Sequence, residues 1–97
     1  MSDNAYNAKK TARPRHDPGT ASRVFGDEAV IITPAENMVR MLDEVGSRIW
    51  RLADGSRTVD EIAAALTDEY EVTAEEAGTS VTSFVQALVE KELLVWV

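Results

Sequence analysis

Residues 34–50, "PAENMVRMLDEVGSRIW", contain the change of period on which the fold turns. Met38 to Leu42 read as a β-strand, yet the strand does not alternate. Met38, Val39, Met41 and Leu42 are apolar, and only Arg40 is polar. A half-buried strand has one apolar and one polar face, so this one has an apolar face with no evident cover. From Asp43 the spacing becomes helical. Asp43 is a good N-cap, and Glu44 suits the positive end of a helix dipole. Val45, Ile49 and Leu52 then recur at i, i+4 and i+7 with Trp50 beside them, which predicts a helix running to Ala53.

Downstream the helical pattern repeats twice. "DGSR" stops the first helix through Gly55. Thr58 with Glu61, and Thr73 with Glu76, have the spacing of a capping box, in which hydroxyl and carboxylate satisfy each other's backbone N–H groups. The second helix has Ile62, Ala63, Leu66 and Tyr70 on its apolar side. The third has Ala77, Val81, Phe84, Val85 and Leu88. Leu93 to Val97 form a closing apolar tail expected to fold back on the core.

Upstream, "RVFGDEAVIITP" predicts two short strands, Arg23–Phe25 and Glu28–Thr33, around a Gly26-Asp27 turn. Pro34 ends the second strand, and "PAEN" has the composition of a hairpin connection. The expected fold is α+β: a small three-stranded antiparallel sheet followed by three α-helices, in a winged helix-turn-helix-like arrangement. Residues 1–21 lack periodicity and hold Pro14, Pro18 and Gly19, so they are expected to be a disordered basic tail preceding a domain over 22–97.

Composition removes several functions. The 97 residues suffice for one small core, and there is no cysteine to supply a disulfide, a thiolate ligand or a nucleophile. No apolar run approaches the roughly 18 residues of a membrane span, and no signal peptide precedes the domain, so a cytoplasmic protein is expected. The single histidine, His16, falls in the expected tail, and the five glycines are scattered rather than gathered in a phosphate loop. The acids from Asp68 to Glu76 are interrupted by Tyr70, Val72 and Ala74, unlike a calcium loop. Neither a catalytic group, a metal site nor a cofactor site is expected.

Charge bears on nucleic acid. The net charge is −7, and residues 24–97 hold five cations against fifteen acids. A body of that sign repels phosphate backbones. The third helix offers Thr79, Ser80, Thr82, Ser83 and Gln86 with no cation before Lys91, a poor reading helix. A winged-helix transcription regulator is therefore the alternative, and peptide recognition is the leading expectation. An extended peptide adds to an open sheet edge by backbone hydrogen bonds. Met38 and Met41 suit such a site because an unbranched thioether adapts to its partner. The competing reading makes both of them plain core.

The stretches "DEVGSRIWRLADGSRTVDEI" (Asp43–Ile62), "EYEV" (Glu69–Val72) and "SVTSFVQALVEKELL" (Ser80–Leu94) resemble the PqqD family, the peptide chaperones of pyrroloquinoline quinone biosynthesis. They are equally similar to the wider class of precursor-peptide recognition elements, over about residues 22–95. The resemblance implies a non-catalytic domain that holds a precursor's leader peptide between the third strand and third helix. It implies a partner enzyme as well, a radical S-adenosylmethionine enzyme in the quinone pathway. By position, the strand wall is Met38, Val39, Arg40, Met41 and Leu42, and the helix wall is drawn from Val81, Phe84, Val85 and Leu88. Edge-to-edge pairing of two copies would give a homodimer. The chain departs from the family's usual residues at Asp43 (often Asn), Ser80 (often Asp) and Glu92 (often Gly). The last exchange removes a helix-ending glycine and is expected to lengthen the final helix.

Overall fold

Gly26 takes a positive φ of 62° in the two-residue connection that reverses the chain between the first two strands of the sheet. Only a residue without Cβ adopts that geometry freely. The computed structural model describes residues 12–97. In chain order its elements are β1 (Pro14–His16), β2 (Ala21–Phe25), β3 (Glu28–Thr33), a 3₁₀ turn (Pro34–Glu36), β4 (Met38–Met41), α1 (Glu44–Leu52), α2 (Val59–Glu69), α3 (Ala74–Glu90) and β5 (Leu94–Trp96). The predicted α+β order, a three-stranded sheet and then three helices, is the one observed. "PAEN" winds into the 3₁₀ turn and closes on Asn37, which adopts the left-handed region at φ 53°.

The sheet has the antiparallel order β2-β3-β4, so β3 is central and β4 is an edge. Only β3 sends fully buried side chains, Ala29 and Ile31, into the core. The sheet is tied to the helices at that point. Ser47 of α1 is the one buried polar residue of the described chain, and its Oγ accepts the Ala29 N–H at 2.6 Å while donating to the Leu42 carbonyl at 3.3 Å. Ile49, Trp50 and Leu52 of α1 join Ile62 and Leu66 of α2 and Val81, Val85 and Leu88 of α3 in one cluster. Val45, assigned to the apolar stripe of α1, is instead 39% exposed. It lies in the first turn, ahead of the buried stretch that begins at Gly46.

The caps form as their spacing predicts. Asp43 accepts the Gly46 N–H at 2.7 Å, and both Thr58/Glu61 and Thr73/Glu76 close reciprocal capping boxes. Those backbone hydrogen bonds hold the Glu61 and Glu76 carboxyls below their ordinary range.

The two ends of the chain depart from expectation. The strand β1 lies within the stretch assigned to a disordered tail, and it pairs antiparallel with β5. Pro14 is buried, and its carbonyl accepts the Gly55 N–H at 2.9 Å. His16 stacks on Trp50 with ring centroids 3.8 Å apart, and its Nε2 donates to the Trp50 carbonyl at 2.7 Å. Local composition misses this strand because its partner lies at the other end of the chain. The part of the tail expectation covering residues 1–11 lies outside the described residues.

The last helix does not lengthen at Glu92. It ends at Glu90 with Lys91 as cap, and Glu92 takes the left-handed φ of 60° that glycine favours. Leu93 N–H reaches back to the Leu88 carbonyl at 2.8 Å and Glu92 N–H to the Val89 carbonyl at 3.0 Å. This is the paired closure of a Schellman turn. Burial of Leu93 and Leu94 holds a non-glycine residue in that conformation.

Three outcomes follow. Glu92→Gly relieves left-handed strain and should raise stability by about 0.5–1 kcal/mol after the entropy of the added glycine, read as a higher urea midpoint at unchanged slope. Ser47→Ala strands a buried N–H and should lower stability by about 1–3 kcal/mol. The two cap carboxyls have folded pKa values below their unfolded ones. Their contribution is therefore complete above the ordinary glutamate range, about pH 4.3, and is lost as pH falls through the lowered folded values. A Glu61→Gln/Glu76→Gln double variant should show a shallower acid limb in a series of urea melts against pH.

Candidate functional site

The Leu42 N–H donates to the Ala29 carbonyl at 3.0 Å, which sets the phase of the β3–β4 ladder. Alternate residues of an antiparallel strand bond to the same neighbour. Met38 and Arg40, in phase with Leu42, therefore turn their backbone groups toward β3. Val39 and Met41 turn theirs outward from the open edge. Side chains alternate in the other direction. Arg40, opposite the buried Ile31, lies on the core side of the sheet with Met38. Val39 and Met41, opposite Ile32 and Val30, lie on the outer side.

The apolar residues of this strand are uncovered. Met41 is 74% exposed, Val39 62% and Met38 44%. The reading of both methionines as plain core does not hold. Leu42, by contrast, is partly buried against the core. Arg40 is half-buried and weakly held. Its Nη1 lies 3.4 Å from Thr33 Oγ1 and 3.9 Å from Glu36 Oε1. Elsewhere in the same chain Arg48 grips Glu69 with two contacts of 2.7 Å, the forked geometry that guanidinium and carboxylate prefer. The Glu69 carboxyl is held low by that pair and the Arg48 guanidinium is raised.

On the helix side the structure separates the expected residues. Val81, Val85 and Leu88 are core, at 0%, 0% and 6% exposure, and present no surface to a ligand. Their positions on an apolar stripe marked them as buried, and the stripe cannot reveal which member reaches the rim. Only Phe84 is partly open. It rests against α1 at Gly46, where an added Cβ would stand 3.0 Å from the ring. Glycine there lets the Phe84 ring lie directly on α1, just beyond the end of β4.

At the other end of β4, sequence reasoning named nothing. The structure has a groove of about 620 Å³ between the 3₁₀ turn and the end of α3, bordered by Thr33, Glu36, Val89, Lys91 and Trp96. Phe84 meets α1 at Gly46, after β4, and Val89 and Lys91 border the same groove as Glu36, before β4, so this stretch of α3 runs in the direction opposite to the strand. The groove was illegible because it combines a turn, a helix end and β5. Among the described residues no group of His, Asp and Glu is placed to hold a metal ion, and no helix is long and apolar enough to cross a membrane.

Comparison with known proteins gives this geometry a family. No curated protein matches the chain. Among solved structures, TbiB1 in complex with the TbiA(beta) leader peptide is 32% identical, covers 82% of this chain and 93% of its own, and superposes with a TM-score of 0.77. A lasso peptide synthetase B1, complexed with its leader peptide, is 20% identical and covers 87% of this chain and 99% of its own. Its TM-score of 0.78 shows the same fold. Residues 28–94, from the start of β3 to the start of β5, match the family described as coenzyme PQQ synthesis protein D, and the chain belongs to this PqqD family.

Proposed function

We propose that this protein binds the leader of a ribosomally made precursor peptide by strand addition at β4 and presents it to a modifying enzyme. The observation that carries the proposal is the open β4 edge, where Val39 and Met41 turn their backbone groups outward between exposed apolar side chains. A peptide laid along it gains a ladder of hydrogen bonds for register and apolar contacts on both sides. The TbiB1 relative is known in complex with a leader peptide, which supports the same ligand class here.

The contact residues we propose are Met38, Val39, Arg40, Met41 and Leu42 on the strand and Phe84 on the helix. Val81, Val85 and Leu88 act behind them by fixing where α3 stands. The role is recognition without catalysis. The modifying enzyme is the second partner. The family resemblance implies a radical S-adenosylmethionine enzyme, whereas the second solved neighbour is named for lasso peptide synthesis. Two copies pairing through β4 would block the same edge, and the acid excess of residues 24–97 opposes such pairing. The exposed groups of α3 include Glu75, Thr79, Ser80, Thr82, Ser83, Gln86 and Glu90, so no observation favours a DNA-reading role.

The test uses leaders synthesised from short precursor reading frames beside the gene. Titration into labelled protein should shift the amide resonances of residues 38–42 and of Phe84. A bound leader that leaves those signals in place while moving others would rule out the β4 edge. Proline scanning adds a sign. Val39→Pro and Met41→Pro each remove an outward donor and should weaken binding about tenfold or more with the fold retained. Arg40→Pro removes a donor from the β3 ladder and should lower the melting temperature instead.

A further inference from the structure

The β4 edge has an unusual weakness as a template. A peptide strand finds its register because a slip by one residue sends its apolar side chains to the wrong face. Here both faces are apolar: Met38 on the core side, Val39 and Met41 on the outer side. A slipped peptide would lose little. Arg40 is the single position along Met38–Leu42 at which register carries a penalty.

We infer that Arg40 is the residue that fixes register, and that the peptide bound at β4 has an aspartate or glutamate directly opposite it. The inference rests on the strand addition proposed above and adds the chemistry of the ligand. Because Val39 and Met41 supply the outward hydrogen bonds, Arg40 falls at a non-hydrogen-bonded position of an antiparallel added strand. There the facing side chains come closest and share one face of the sheet. Opposite charges at such a position attract, and like charges repel.

The state of Arg40 fits a cation awaiting a partner. Its side chain is 26% exposed, so water screens it only in part. Its guanidinium has five N–H donors. Among the described residues these are met by one long bond to Thr33 and one 3.9 Å approach to Glu36. Glu36 is itself 49% exposed and sits in the 3₁₀ turn rather than on the strand. It holds the guanidinium near the edge without occupying the fork, whereas Glu69 fills that of Arg48 with two short bonds. A carboxylate arriving on an added strand can take the forked geometry that Glu36 leaves open.

Selection from a phage-displayed library of random peptides about a dozen residues long tests this, with wild type, Arg40→Glu and Arg40→Met as baits. The binders of wild type should share one acidic position flanked on both sides by apolar residues. Arg40→Glu should replace that acid by lysine or arginine, and a wild-type-selected peptide should bind it at least about tenfold more weakly. Arg40→Met keeps the unbranched stem and guards against a folding defect. It should retain the apolar positions and lose the acidic one. Binders with no fixed acid, or an acid that persists with Arg40→Glu, would overturn the register role while leaving strand addition intact. No enriched peptide with any bait would overturn strand addition and the register role together.

Discussion

The bond from Ala29 N–H to Ser47 Oγ joins sheet to helices, and much else depends on it. A three-stranded sheet is too small to stand alone. This one reaches the core through a single strand, because only β3 has fully buried side chains. The serine serves both strand and strand end, accepting from Ala29 and donating to Leu42. It therefore sets where β4 leaves the sheet and where α1 begins. With β3 docked, β2 and β4 are held mainly by ladder hydrogen bonds. An edge held in that way keeps its own side chains available, and for this reason the apolar face of β4 stays uncovered.

The helical half of the molecule was legible because its signals are local. A capping box occupies four consecutive residues, and the stripe that follows repeats within a few turns. Both boxes and the Asp43 cap form where their spacing places them. Failures arose where the deciding partner is distant. β1 has no periodicity of its own, and its order comes from β5 and from the indole of Trp50. Glu92 is similar. Its identity argues for a continuing helix, yet the burial of Leu93 and Leu94 outweighs the strain of its left-handed backbone.

The candidate site was legible in part, for a related reason. The lack of alternation in Met38–Leu42 marks the strand as unusual from sequence alone, and Met38, Val39 and Met41 are its exposed apolar residues. On the helix side, burial divides the four residues. An apolar stripe marks the residues that face inward, and Val81, Val85 and Leu88 face inward completely. Phe84 stands apart because Gly46 leaves room for its ring at the rim, which depends on the approach of two helices and not on either one's pattern.

The pairing of β1 with β5 also has a topological consequence. Arg13 and Val97 exchange two backbone hydrogen bonds, at 2.8 and 2.7 Å. The described chain is thus nearly a ring, closed by contacts between its extremities. A short linker across that gap would leave every element in place, and fresh termini could open at the exposed Gly26-Asp27 turn. Opening the chain at that turn would bring β1 and β5 together in mid-chain and keep β4 between β3 and α1, a rearrangement that circular dichroism and peptide binding can follow together.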